Sequence, residues 1–168
     1  MMSSMELKET LDHPADPDTV FAMLCDQSWR EEVCRRTHAT DYTVVVEQRG
    51  DSVVVRTTRV VPAPDAAKKF VGASLTIEQN ETWGIASADG SRSADLEIAI
   101  KGQPAGMRGT RTLAPGGSGS VETVSGDVKV RIPFVGAKFE PTIADAIRAA
   151  IATEGKAARE YLAGCAHL

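Results

Sequence analysis

The order and periodicity of the hydrophobic residues predict an α+β fold, in which a curved antiparallel β-sheet wraps around one long C-terminal helix. Three observations lead to this prediction. A short strand is followed by two short helical segments, and six strand-like segments then follow one another through mostly tight connections. The chain closes with a single long amphipathic segment, which is the only long apolar stripe available to cover the sheet.

The composition is that of an ordinary globular protein. The chain has 168 residues, of which 42% are hydrophobic and 25% are charged, and its formal net charge is −4. This apolar content is too high, and this net charge too low, for a disordered chain. The 19 Lys and Arg residues are outnumbered by 23 Asp and Glu residues, and this balance does not favour a surface that binds nucleic acid. We therefore expect one domain over residues 1–168, without nucleic-acid partners.

The N-terminal third contains clear start signals for helices. A first strand is predicted over Met5–Leu11, and Asp16 followed by Pro17 is typical of an N-cap and first helical position. A second short helix is predicted over Trp29–Arg36, with Ser28 as its cap. After residue 40, the period of the apolar residues changes from helical to alternating.

Turn residues separate the six later strands. Gly50-Asp51 and Asp89-Gly90 predict tight turns, and the glycine-rich segment 115–119 predicts another. The strands themselves are predicted at residues 42–47, 52–61, 74–83, 92–100, 107–113 and 121–132. Lys68, Lys69 and Phe70 lie in the connection between the second and third of these strands. This connection is interpreted either as a solvated loop or as a gate over a cavity mouth.

The last helix is predicted over Phe139–Leu162, and a start nearer Val135 is also open. Pro141 either occupies its first turn or bends it, because proline removes a backbone donor. Its apolar stripe consists of Phe139, Ile143, Ile147, Ile151, Ala158 and Leu162. The charged residues assigned to its other faces are Arg148, Glu154, Lys156, Arg159 and Glu160.

Three local segments, together with the element order, carry a resemblance to a known superfamily. They are Asp16-Pro17-Asp18-Thr19-Val20-Phe21, Glu81-Thr82-Trp83 and Ile132-Pro133-Phe134-Val135-Gly136-Ala137-Lys138-Phe139-Glu140. Through them the chain resembles the START-like, or helix-grip (SRPBCC), superfamily, which includes the birch-pollen allergen, polyketide cyclases and lipid-transfer domains. Within it, the chain is most similar to a bacterial group, domain of unknown function 2505.

The resemblance implies a ligand cavity between the concave face of the sheet and the long helix. Members of the superfamily bind lipids, sterols or polyketides there, and a minority catalyse a reaction. The residues predicted to form the apolar wall are Leu75, Ile77, Trp83, Leu96, Ile98, Phe139, Ile143 and Ile147.

Several charged residues share the inward register of the strands. Glu81 has the parity of Ile77, and the other three predicted inward charges are Arg92, Arg111 and Glu122. They would orient a ligand head group or form an acid–base pair, because a charge turned inward must be paired or hydrated. The competing interpretation is that a β-bulge reverses the register and turns these residues outward, or that they lie at solvent-exposed strand ends.

We expect neither a metal site nor a cofactor, because the cysteines and histidines show no ligand spacing. These residues are Cys25, Cys34, Cys165, His13, His38 and His167. The chain opens without a signal-peptide pattern, and no apolar run reaches the roughly 18 residues of a membrane span. A cytoplasmic protein with reduced thiols and no stable membrane insertion is the expectation.

The sequence therefore predicts that the protein binds or carries a bulky apolar small molecule, of lipid or polyketide-like type. An enzyme of the cyclase or dehydratase kind, using Glu81 or Glu122 with Arg92 or Arg111, is the first alternative. A ligand-free interaction domain is the second. Ligand identity and oligomeric state stay open at this point.

Overall fold

A computed structural model describes residues 4–165, except for the side chain of Cys165. The predictions for that side chain and for His167 therefore lie outside the described residues. Seven strands form one sheet: β1 (Met5–His13), β2 (Asp41–Arg49), β3 (Ser52–Pro62), β4 (Ser74–Trp83), β5 (Arg92–Ile100), β6 (Ala105–Gly116) and β7 (Gly119–Val130). The helices are α1 (Pro17–Leu24), α2 (Gln27–Arg36), α3 (Lys68–Val71) and α4 (Gly136–Cys165), and a 3₁₀ turn (Asp65–Ala67) precedes α3.

The sheet is antiparallel throughout, in the order β1-β7-β6-β5-β4-β3-β2. Strands β2 to β7 follow one another as a meander, because each is joined to the next by a connection short enough to keep them neighbours. Strand β1 completes the sheet by pairing with β7. The α+β class predicted from element order is confirmed.

One of the two predicted helix caps is correct. The Oδ1 atom of Asp16 accepts a hydrogen bond from the Thr19 amide at 2.8 Å, so Asp16 caps α1 as expected. The cap of α2 is Asp26 rather than Ser28. The Asp26 carboxylate accepts from the Ser28 amide at 2.9 Å and from the Trp29 amide at 3.3 Å, which places Ser28 inside the first turn.

The last helix is longer than predicted, since it runs from Gly136 to Cys165 and contains Pro141 in its second turn. A Cβ atom at Gly136 would lie 2.1 Å from the backbone oxygen of Val130, so only glycine fits where the chain leaves β7. The assignment of Glu154 to a solvated face is wrong. Glu154 is buried, because it lies seven residues after Ile147 and therefore on the same helical face.

The core has two parts, which lie under different helices. Trp83, Val55 and Leu113 pack with α1, α2 and the end of α4, whereas Leu7, Met107 and Val128 pack under the middle of α4. Helix α4 contacts mainly β7 and β1, and α2 contacts β2. Over residues 4–165, no helix combines the length and apolar composition that crossing a membrane requires.

Candidate functional site in the cavity beside the last helix

A cavity of about 140 Å³ lies between the inner face of the sheet and α4. It exists because α4 covers β1 and β7, while the inner faces of β3, β4 and β5 receive little cover from it. We call this space the main cavity. Its apolar wall includes Leu75, Ile77, Leu96, Ile98, Ile143 and Ile147.

Four of these wall residues face inward without being fully covered. Leu75, Ile77 and Ile98 lie on the concave face of the sheet, and Ile143 lies on the sheet-facing side of α4, yet all four are only half-buried. Inward apolar side chains normally complete their burial against neighbours at close-packed density. Their incomplete burial shows that the space between them is unfilled by protein.

Six polar side chains also border the main cavity: Arg30, Thr57, Arg59, Gln79, Arg111 and Glu154. Three of them, Arg30, Arg111 and Glu154, belong to a network of buried charges that joins the helices to the sheet. We call the group Arg30, Glu81, Arg111, Glu122, Glu154 and His13 the buried ion network. The cavity is therefore apolar over most of its wall and charged at one end.

Arg30 and Glu81 form the centre of this network. Both guanidinium Nη atoms of Arg30 donate to the two carboxylate oxygens of Glu81 at 2.8 Å, and the Arg30 Nε donates to the Leu24 carbonyl at 2.6 Å. Glu81 also accepts from the Trp83 indole at 3.0 Å and from the Gln79 amide at 2.7 Å. Every oxygen of this fully buried carboxylate therefore has hydrogen-bond partners.

Arg111 connects the remaining members of the network. Its Nη2 atom lies 3.0 Å from the Glu154 carboxylate, and its Nη1 atom lies 3.4 Å from Glu122. Glu122 is held on its other side by the His13 Nε2 atom at 2.8 Å. Side chains from β1, α2, β4, β6, β7 and α4 thus meet in one charged cluster.

The charges of the network perturb one another strongly. Burial alone would raise the pKa of Glu81, but the charges of Arg111 and Arg30 and the hydrogen bonds lower it to about 2. Burial alone would likewise lower the pKa of Arg111, but Glu154, Glu81 and Glu122 raise it above its usual value. Both groups are therefore held in their charged forms at neutral pH.

Arg59 differs from the other cavity arginines. It lies on the inward face of β3 and borders the main cavity, and its guanidinium makes no hydrogen bond or salt bridge to any residue between 4 and 165. Burial lowers the pKa of Arg59, and the charge of Glu154 offsets this only in part. Its half-buried guanidinium therefore lies at the cavity without a paired carboxylate.

A second, smaller cavity of about 50 Å³ adjoins the main one and shares Pro64, Leu75, Ile100 and Ile143 with it. The Phe70 ring meets the Phe139 ring edge-on at a centroid distance of 5.1 Å. Both rings border this second cavity. The interpretation of the Lys68–Phe70 segment as a gate stays a prediction.

The structure brings together seven of the twelve residues predicted for the site. The main cavity is bordered by Leu75, Ile77, Leu96, Ile98, Ile143, Ile147 and Arg111. Phe139 borders the second cavity instead, and Trp83 is packed into the core under α1 and α2. Glu81 and Glu122 face inward as predicted but lie behind the wall, within the ion network.

Arg92 alternates in register with the inward residues of β5, but it lies at the solvent-exposed end of that strand, outside the main cavity. Its guanidinium covers the Phe21 ring at 4.0 Å and donates to the Gly84 carbonyl at 3.3 Å. A side chain at the start of a strand can turn along the sheet rather than stand above it, so parity alone does not place it.

Four polar residues of the cavity lining were not predicted as site residues from the sequence, although a pattern marks each of them. Arg30 lies three and four residues before Val33 and Cys34, on the buried side of α2. Arg59 and Thr57 have the parity of Val55 in β3, and Glu154 lies on the apolar stripe of α4. Within residues 4–165, no group of three His, Cys, Asp or Glu side chains is arranged to hold a metal ion.

A seven-stranded antiparallel sheet around a long C-terminal helix, with a cavity between them, is the helix-grip fold. The chain belongs to the family described as "Protein of unknown function (DUF2505)", whose model matches residues 8–162. The family resemblance and the helix-grip fold found in the sequence are both confirmed.

Solved structures support the fold at low sequence identity. TTHA0849 from Thermus thermophilus has a TM-score of 0.62 at 14% identity, over 97% of this chain and 99% of that one. A STAR-related lipid transfer protein from Xanthomonas axonopodis has a TM-score of 0.61 at 16% identity, over 94% and 85%. The di-domain ARO/CYC StfQ from the steffimycin pathway has a TM-score of 0.66 at 12% identity, over 98% and 53%.

Among curated proteins, the chain is 35% identical over 71 residues to the uncharacterized protein Rv0481c of Mycobacterium tuberculosis. This match covers 41% of the chain and 40% of that relative. The similarity therefore spans less than half of either protein.

Proposed function

We propose that this protein binds an apolar small molecule, without covalent chemistry, in the main cavity between β3–β5 and α4. The observation that carries this proposal is the set of inward apolar residues left half-buried around the cavity: Leu75, Ile77, Ile98 and Ile143. A ligand would complete their burial, at about 25 cal/mol for each Å² of apolar surface removed from water.

The size of the cavity limits what fits without rearrangement. An apolar cavity of about 150 Å³ accommodates benzene, so 140 Å³ holds one ring or a short alkyl chain. A bulkier lipid or polyketide-like ligand would also need the second cavity, and the shared wall residues Leu75 and Ile143 would then have to move. One structural neighbour is described as a lipid transfer protein, which supports a lipid as the larger ligand.

The contacts of the predicted acid–base residues favour binding over the cyclase or dehydratase alternative. Glu81 is paired with Arg30, and its pKa of about 2 removes it from proton transfer near neutral pH. Glu122 is enclosed between His13 and Arg111, and neither carboxylate borders the main cavity. The ligand-free alternative predicts a filled interior, which the half-buried wall does not support.

Filling the cavity with a larger side chain tests the proposal. Octan-1-ol is larger than one ring, so its eight carbons would extend from the main cavity into the second one. Their full burial would give about 6 kcal/mol before ordering costs, enough for a dissociation constant below about 1 mM. Ile143→Trp should weaken octan-1-ol binding at least tenfold in isothermal titration calorimetry, because the indole occupies the space. The matched control is Ile85→Trp, since Ile85 is exposed outside both cavities. Equal affinities for wild type and Ile143→Trp would contradict the proposal.

A further inference from the structure

We propose that the main cavity selects apolar ligands that carry a carboxylate, and that Arg59 binds this carboxylate. The inference rests on the proposed function and names the chemical class of its ligand. It goes beyond apolar burial because it assigns a polar anchor to one wall of the cavity.

The position of Arg59 is fixed by the register of β3. It lies opposite Tyr42 on β2 and opposite Ile77 on β4, in the same inward register as Val55 and Thr57. Ile77 is itself an apolar wall residue, so Arg59 and the apolar wall are direct neighbours across the β3–β4 strand pair. A ligand lying along the inner faces of β4 and β5 would therefore reach Arg59 with one end.

The hydrogen-bonding state of Arg59 is the central observation. Arg30 and Arg111 also border the cavity, but Glu81 and Glu154 already occupy their guanidinium groups. Arg59 has no such partner within residues 4–165, and a guanidinium carries five donors that seek acceptors when they leave bulk water. Of the three cavity arginines, Arg59 is the one whose guanidinium has no paired carboxylate within residues 4–165.

The surroundings of Arg59 favour an anion over a neutral acceptor. Cys34 borders the same cavity, and burial raises the pKa of its thiol, so the thiol stays neutral and is no counter-ion. Glu154 is a carboxylate whose charge acts on Arg59, but it is held by Arg111 at 3.0 Å. A carboxylate matches the planar fork of a guanidinium and forms two charge-assisted hydrogen bonds with it.

The test compares two ligands that share one alkyl chain. Octanoate and octan-1-ol are titrated into the wild-type chain at pH 7.5 by isothermal titration calorimetry. We expect octanoate to bind at least tenfold more tightly, whereas a purely apolar cavity would favour the alcohol, because a carboxylate loses its hydration on entry. The variant Arg59→Met should lower octanoate affinity at least tenfold and leave octan-1-ol affinity unchanged.

Arg56→Met is the matched control, because Arg56 lies on the same strand, is exposed, and forms a salt bridge with Glu47 at 3.6 Å on the outer face. It should leave both affinities unchanged. If Arg59→Met does not fold, Arg59→Gln provides the same comparison with a polar side chain.

The outcomes separate this inference from the proposed function. If octan-1-ol binds and octanoate binds no better, or if neither Arg59 variant reduces the preference, the carboxylate assignment is overturned while the proposed function stands. If neither ligand binds the wild-type chain, both the proposed function and this inference fail.

Discussion

Arg30 stabilises the fold mainly because it neutralises the buried charge of Glu81. It forms a two-point salt bridge with Glu81 inside the core and also donates to the end of α1. Removing one partner of a buried ion pair leaves the other charge uncompensated, which is costly in a poorly solvated interior. The two side chains are therefore mutually dependent.

We expect Arg30→Met to lower the free energy of unfolding by about 3–5 kcal/mol, measured by urea denaturation. The matched control is Arg35→Met on the same helix, because Arg35 pairs with Glu32 in solvent, where ion pairs contribute about 0–1 kcal/mol. Similar losses for the two variants would show that Glu81 is not dependent on Arg30.

The pKa of Glu81 predicts loss of stability in acid. This pKa is about 2 in the folded chain, against a usual value of 4.5, so the folded state favours the ionised carboxylate. The stabilisation is complete above about pH 4.5 and disappears as the pH falls towards 2. A shift of this size corresponds to a loss on the order of 3 kcal/mol over that window.

The measurement is the free energy of unfolding of wild type and Glu81→Gln between pH 5 and pH 2. Wild type should lose more stability than the variant across this range, because the variant has no carboxylate to protonate at that position. If the free energy of unfolding falls equally with pH in both chains, the proposed ion pairing of Glu81 is contradicted. Surface carboxylates such as Asp16 and Glu32 are common to both chains and cancel in the comparison.

At the scale of single residues, strand parity correctly predicted that Glu81, Arg111 and Glu122 face inward. It could not predict their partners, because Arg30 and Glu154 come from helices distant in sequence, and pairing depends on how those helices pack. Arg92 also lies on the inner side of the sheet, where it contacts Phe21 of α1, but parity could not predict that this end of β5 lies outside the cavity.

At the scale of elements, two facing glycines shape the middle of the sheet. Gly109 on β6 lies directly opposite Gly126 on β7. A Cβ atom at Gly109 would lie 1.9 Å from the Ser125 oxygen, and one at Gly126 would lie 2.5 Å from the Arg108 oxygen. Both obstacles are backbone atoms, so this close approach requires glycine at both positions.

We expect Gly109→Ala to lower the free energy of unfolding by about 1–3 kcal/mol, because the added methyl forces β6 and β7 apart. Gly164→Ala is the control, since a Cβ atom there meets nothing within 4 Å and alanine favours a helix. The comparison is made by thermal denaturation followed by circular dichroism. A variant at Gly109 as stable as wild type would refute the close approach.

Element identity was predicted better than element ends. The alternation of apolar residues places β6 at 107–113, whereas its ladder with β7 extends from Ala105 to Gly116. Backbone hydrogen bonds continue a strand beyond its alternating side chains, so periodicity underestimates strand length. The same limit applies to α4, which begins at Gly136, three residues before Phe139 opens its apolar stripe.

For the whole molecule, the central feature is the lateral position of α4. The sequence predicts that one helix covers the sheet, but not that it rests on β1 and β7 and leaves β3–β5 open. An inward isoleucine has the same periodicity whether it touches another side chain or an unfilled space. The cavity therefore could not be separated from the core by pattern alone, although six of the eight predicted wall residues border it.

The most direct test of ligand binding follows the methyl groups of isoleucine by NMR while octan-1-ol is added. Six isoleucines border the main cavity, and exposed Ile85 provides an internal control in the same spectrum: the six are Ile77, Ile98, Ile100, Ile143, Ile147 and Ile151. We predict saturable shifts of the methyl resonances of these cavity isoleucines with no change at Ile85. Shifts that are absent, or that affect Ile85 as strongly as the cavity methyl groups, would contradict binding between the sheet and α4.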